Sequence, residues 1–182
     1  MEAQVENRLR NSAAVWLRIE SGEGEDRGRA ATFVAAGFLA TLNYPPITSP
    51  HTITTITYGG GAEAREAQVV FVDRTTNITL LRLKSSESDR RFEAVPLLDT
   101  SFPDVTWEVP AFDQQLNSFI TIRGDVLGLQ PSGDMEVIAL RPHSEPPSWD
   151  TFVGATLFLN DFVAGMVVLA RPDVSELHAV PS

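Results

Sequence analysis

Short β-prone runs, each closed by turn residues, constrain this chain more than any other feature. They fall at 13–20, 30–35, 38–42, 52–58, 66–72 and 78–83, and again at 105–109, 119–124, 126–129 and 135–140. Between them stand Gly37, Pro45-Pro46, the Gly59-Gly60-Gly61 turn and the Asp73-Arg74-Thr75-Thr76-Asn77 turn. Adjacent prolines stop helix and strand alike, and glycine or asparagine supplies the backbone angles that tight turns need. One helical signal exists: Val5 and Leu9 at i, i+4 spacing among good helix formers predict a short N-terminal helix over 2–10. Many short strands with regular turn signals predict an all-β sandwich or barrel. No internal repeat of 20–50 residues is visible. A length of 182 residues suits one large domain or two small β-subdomains. The polar, charged break that begins at Ser85 places the division between them, as 1–95 and 96–182.

The final pair of strands lies in Ser148-Trp149-Asp150-Thr151-Phe152-Val153-Gly154-Ala155-Thr156-Leu157-Phe158-Leu159 and the apolar run that follows. This stretch reads as a polar approach, a small-residue hinge at Gly154-Ala155, and two apolar strands joined at Asn160-Asp161. Asn-Asp between β-prone runs is turn chemistry.

Composition removes several classes of function. The chain has no cysteine, which excludes disulfides, thiolate catalysis and cysteine-based zinc sites. The three histidines, His51, His143 and His178, have no metal-ligand spacing, and no metal or cofactor is expected. A formal net charge of -10 argues against nucleic-acid and anionic-membrane partners, both of which require a basic footprint. There is no apolar run long enough to span a bilayer, and the N-terminus lacks a secretory signal pattern, so a cytoplasmic location is expected. The loop at 21–28 is rich in glycine and acid but matches neither a phosphate-binding nor a calcium-binding pattern. His143 and His178 read as solvent-facing.

Three segments, taken in order, resemble the trypsin-like peptidase fold in its compact, HtrA-like form. Residues 28–44 are similar to the family's strand–turn–strand leading to a Thr-x-x-His loop, with Thr41 on the threonine and Tyr44 on the histidine. Residues 69–83 are similar to the segment V-D-x-x-x-D-L-A-L-L-R-L, with Asn77 on the triad aspartate. Residues 151–158 are similar to G-x-S-G-x-P-V-F, with Val153 on the serine. The resemblance implies two packed six-stranded antiparallel β-barrels. Within the family the chain most resembles trypsin-like domains of bacterial signalling and conflict systems.

The departures decide what the resemblance implies for chemistry. A triad needs a hydroxyl to attack, an imidazole to take its proton, and a carboxylate to hold that imidazole. Val153 has no nucleophilic atom, Tyr44 is a poor base at neutral pH, and Asn77 has no charge. Losing a triad costs roughly 10⁶ in kcat, about 8 kcal/mol of transition-state stabilisation. The expected product is a pseudoprotease that recognises or scaffolds proteins, with Tyr44, Trp149, Phe152 and Val153 as an apolar contact patch and an exposed strand edge open to β-augmentation. One alternative is an active hydrolase with Ser148 or Thr151 as nucleophile and His51 or His143 as base. The other is a β-barrel binding module unrelated to proteases. Asn77 also has a purely local reading, as a turn residue capping backbone groups.

Overall fold

A computed structural model describes residues 14–19, 27–35, 37–43, 46–47, 51–57, 62–84, 106–159 and 162–181. Two compact units divide the chain at Val95 and Pro96. The expected N-terminal helix and the Asn160-Asp161 turn lie outside the described residues.

The first unit is a closed antiparallel barrel of six strands: β1 (Ala14–Ile19), β2 (Arg27–Ala35), β3 (Phe38–Leu42), β4 (His51–Thr57), β5 (Ala62–Asp73) and β6 (Ile78–Leu83). They are ordered β1-β2-β3-β6-β5-β4, and β1 pairs with β4 to close the ring. Period-two alternation places Val15, Leu17 and Ile19 of β1 in one apolar core with Leu39, Ile53 and Leu81. Arg18, between them, is exposed.

Gly28 lies within β2, not in the loop where its glycine-rich neighbours predict it. A Cβ there would sit 2.2 Å from Cζ2 of Trp16, so only glycine lets the buried indole lie across the strand. The β5–β6 hairpin is tied by Asp73, whose carboxylate accepts from the Thr75 N–H and the Thr76 hydroxyl, both at 2.8 Å. Those bonds, the Thr75 N–H foremost, hold the Asp73 carboxyl below its ordinary pKa.

The second unit repeats the plan. Strands β7 (Thr106–Asp113), β8 (Ser118–Ser132), β9 (Met135–Pro142), β10 (Thr156–Leu159), β11 (Phe162–Arg171) and β12 (Glu176–Pro181) form a closed barrel in the order β10-β11-β12-β9-β8-β7. Read backwards, that is the order of the first barrel. Thus the two halves share a topology that leaves no repeat in the sequence.

Six strands are expected here and six are present, but not the same six. The runs at 119–124 and 126–129 are one strand of 15 residues, β8. A bulge between Val126 and Gly128 interrupts the register without ending the strand, and Gly128 takes a φ of 123°. The sixth strand is β12, hidden behind the Pro172-Asp173 turn signal. It inserts between β11 and β9. Its His178 is buried, not solvent-facing, as are Leu177 and Ala179 on either side of it, so both faces of β12 are covered there.

Trp107 anchors this barrel. It is fully buried, donates its indole N–H to the Asp125 carbonyl at 2.8 Å, and lies against Gly124. Each barrel therefore has a tryptophan on its first strand crossed by a glycine of its second. Among the described residues, no helix is long and apolar enough to cross a membrane.

Candidate functional site

The three positions singled out by the sequence fall in two different units. In the first barrel, β3 delivers the chain to Asn43, and the β5–β6 hairpin delivers it to Asn77. Leu42 pairs with Ile78, and the Asn43 N–H then donates to the Asn77 carbonyl at 2.8 Å. Asn43 Oδ1 accepts from the Ile47 N–H at 3.3 Å, shaping the loop from within. Thr41, fully buried, donates its hydroxyl to the Ala30 carbonyl at 2.7 Å. The structure thus brings Asn43 against Asn77. Tyr44 itself lies outside the described residues.

Asn77 is exposed and has a φ of 58°. Asparagine is among the few non-glycine residues that tolerate this left-handed region. Its local role is therefore plain: it closes a hairpin turn. His51 begins β4, opposite Ala67.

In the second barrel, Pro146 and Pro147 bring the chain to a short 3-10 turn, Asp150–Phe152, set against β7 and β11. Trp149 enters it with helical angles, φ -67° and ψ -37°. The Phe152 N–H donates to the Trp149 carbonyl and the Val153 N–H to the Asp150 carbonyl, both at 3.2 Å. Val153 then turns extended, with φ -69° and ψ 126°. Gly154 follows at φ 87°, an angle that glycine takes at no steric cost. The Gly154 N–H bonds the Val167 carbonyl at 2.7 Å, and the Val167 N–H bonds the Ala155 carbonyl at 2.9 Å. The loop is thereby sewn to β11 just before β10 begins.

Phe152 corrects one expectation. It is 0% exposed, so it cannot belong to a contact patch. Its ring turns inward and anchors the loop, a burial that stabilises by about 1.5–3 kcal/mol. Trp149 and Val153 are half-buried, leaving some of their surface to solvent.

Two groupings escape sequence reading. His143 Nε2 lies 3.0 Å from Asp125 Oδ1, while the His143 N–H donates to the Arg123 carbonyl. An imidazole beside a carboxylate supplies two of a triad's three members, but here both side chains are more than half exposed. Among the described residues, neither Ser148 nor Thr151 has a side-chain hydrogen bond to this imidazole. His178 Nε2 lies 3.4 Å from Glu176 Oε2, and Arg141 reaches the same carboxylate at 3.7 Å. Sequence separation hides the first pair. The second follows once 176–181 is read as a strand, since residues two apart share a face.

Both barrels are closed, so neither has a fully free edge strand. Among the described residues, several stretches are nonetheless paired on one side only: 68–73 of β5, 126–132 of β8 and the end of β11. β10 reaches only Met166 of β11, and the loop bonds extend to Val167. From Leu169 to Arg171, among the described residues, β11 pairs with β12 alone. Leu169 is 44% exposed.

Comparison with solved structures identifies this architecture as the trypsin-like protease fold. The chain superposes on the active form of the Rv3671c protease from M. tuberculosis with a TM-score of 0.72 and 16% identity, covering 97% of this chain and 79% of that one. It superposes on the MamO protease domain from Magnetospirillum magneticum with a TM-score of 0.68 and 17% identity, covering 96% and 94%. No protein-family model and no curated protein matches the sequence.

Proposed function

We propose that this chain is a catalytically silent trypsin-like domain that recognises an extended polypeptide, as a recognition or scaffold module in a bacterial signalling or defence assembly. The observation that carries the reading is Val153. It sits on a tight, sewn-down loop ahead of β10, where the sequence resemblance sets the serine, and it has no atom able to attack a carbonyl. Asn77 supports the same reading, because a neutral turn amide cannot stabilise an imidazolium. The neighbours' protease chemistry therefore does not carry over with their fold.

The end of β11 supports the recognition half. Unpaired backbone groups beside an exposed leucine suit β-augmentation, in which main-chain bonds supply affinity and alternate side chains supply selectivity. The net charge of -10 favours a peptide with basic residues. Bacterial origin of both fold neighbours is in keeping with the assembly proposed.

Two measurements test the proposal. The unmodified chain should be silent to a serine-directed fluorophosphonate. In amide NMR, a library of basic and apolar extended peptides should shift resonances of 168–171, and Leu169→Glu should abolish that response. Covalent labelling of one serine, or saturating peptide with no shift in 168–171, overturns the reading.

A further inference from the structure

We infer that the carbonyl oxygen of Asp150 takes the place of an oxyanion in the Asp150–Gly154 loop, so that this barrel is closed to acyl transfer by its backbone as well as by its side chains. The inference rests on the assignment of Val153 to the nucleophile position.

Acyl transfer by a triad needs two backbone N–H groups aimed at the developing negative oxygen. They belong to the nucleophile and to the residue two places before it. On this chain those donors are Val153 and Thr151. The Val153 N–H is already used: it donates to the Asp150 carbonyl at 3.2 Å. A carbonyl oxygen carries partial negative charge, so it fills the donor and repels an incoming anion.

The second donor is lost by the same geometry. The Asp150 carbonyl and the Thr151 N–H belong to one planar trans peptide, in which they point opposite ways. With the oxygen aimed at Val153, the Thr151 N–H is directed away from the spot where the oxyanion would sit. One peptide orientation therefore disables both donors.

Residue type holds that orientation. Recreating the two-donor site means turning over the peptide between Asp150 and Thr151, which rotates φ of Thr151 by about half a turn from its helical value into the positive range. Glycine accepts such angles freely, whereas a β-branched residue is an outlier there. The family segment has glycine where this chain has Thr151. Around the turn, the buried Phe152 ring, the Ala155 N–H bond to the Phe152 carbonyl at 3.1 Å and the Gly154 N–H bond to Val167 leave little slack.

The test compares the unmodified protein, a triad-restored variant (Tyr44→His, Asn77→Asp and Val153→Ser together), and the same variant with Thr151→Gly added. Each is treated with a fluorophosphonate, and exchange of the Val153 amide proton is followed by NMR in the unmodified protein. The triad-restored variant should label at least about 100-fold more slowly than the variant with Thr151→Gly, the cost of one missing oxyanion donor. Equal, rapid labelling of both variants overturns the inference while leaving the pseudoprotease reading intact. If neither variant labels, the amide proton decides. Protection of Val153 supports the inference, and exchange at the rate of a free loop amide overturns it. Labelling of the unmodified protein instead removes the reading on which the inference rests.

Discussion

Thr79 is fully buried on β6, opposite Thr41, and among the described residues its hydroxyl has no hydrogen-bond partner. Thr41 spends its own hydroxyl on Ala30. A buried hydroxyl left unpaired costs about 1–3 kcal/mol, and valine has nearly the same shape without it. Thr79→Val is therefore expected to stabilise the protein by about 1 kcal/mol, read as a higher denaturant midpoint at unchanged slope. A lower midpoint would mean the hydroxyl is satisfied in solution. Residues two positions apart thus differ in role: Asn77 has a local reason for its identity in the turn, and Thr79 has none that the fold supplies. The first of these was legible in the sequence, because asparagine at the end of an Asp-x-x-x-Asn turn is local chemistry. The second was not, because an orphaned hydroxyl is visible only against its neighbours.

At the scale of the element, the strands owe their course to a few close approaches. Gly124 lies where β8 leaves β7 for β9, and a Cβ there would stand 1.9 Å from the Arg141 carbonyl oxygen and 2.7 Å from Trp107 Cζ2. Backbone cannot yield as a flexible side chain can. Gly124→Ala is expected to destabilise by about 3 kcal/mol or more, at the upper end of ordinary overpacking, with loss of the Trp107 near-ultraviolet signal. Gly128→Ala, with open space around its Cβ but a φ of 123°, tests backbone strain alone and should leave that signal in place. The same scale explains the misread strands. A glycine-rich interval such as Gly124-Asp125-Val126-Leu127-Gly128 looks like a turn in a list of residues, yet it is a crossing and a bulge within one strand. Conversely, Glu176–Pro181 is too short and too polar at its start to announce itself, and becomes a strand because β9 and β11 pair with it from both sides.

The whole molecule carries a net charge of -10 on a trypsin-like scaffold. Such a surface repels polyanions, because counterion release needs clustered lysine and arginine. The protein should pass unretained over immobilised heparin or duplex DNA at about 0.1 M salt. Retention that falls with added salt would reveal a basic patch that the overall charge conceals. Charge of this kind tunes solubility and encounter with partners and has no bearing on the choice of fold.

By itself the sequence determined the all-β class, the want of cysteine chemistry, and the identity of the residues at 44, 77 and 153. All of these follow from composition, period-two patterning and turn residues, which act over a few positions of chain. Only the tertiary structure decided that each half closes into a barrel of the same strand order, that Phe152 and His178 are buried, that Asn43 meets Asn77, and that the Asp150 carbonyl faces the Val153 N–H. Those outcomes depend on pairing and peptide orientation between residues whose proximity no local pattern encodes.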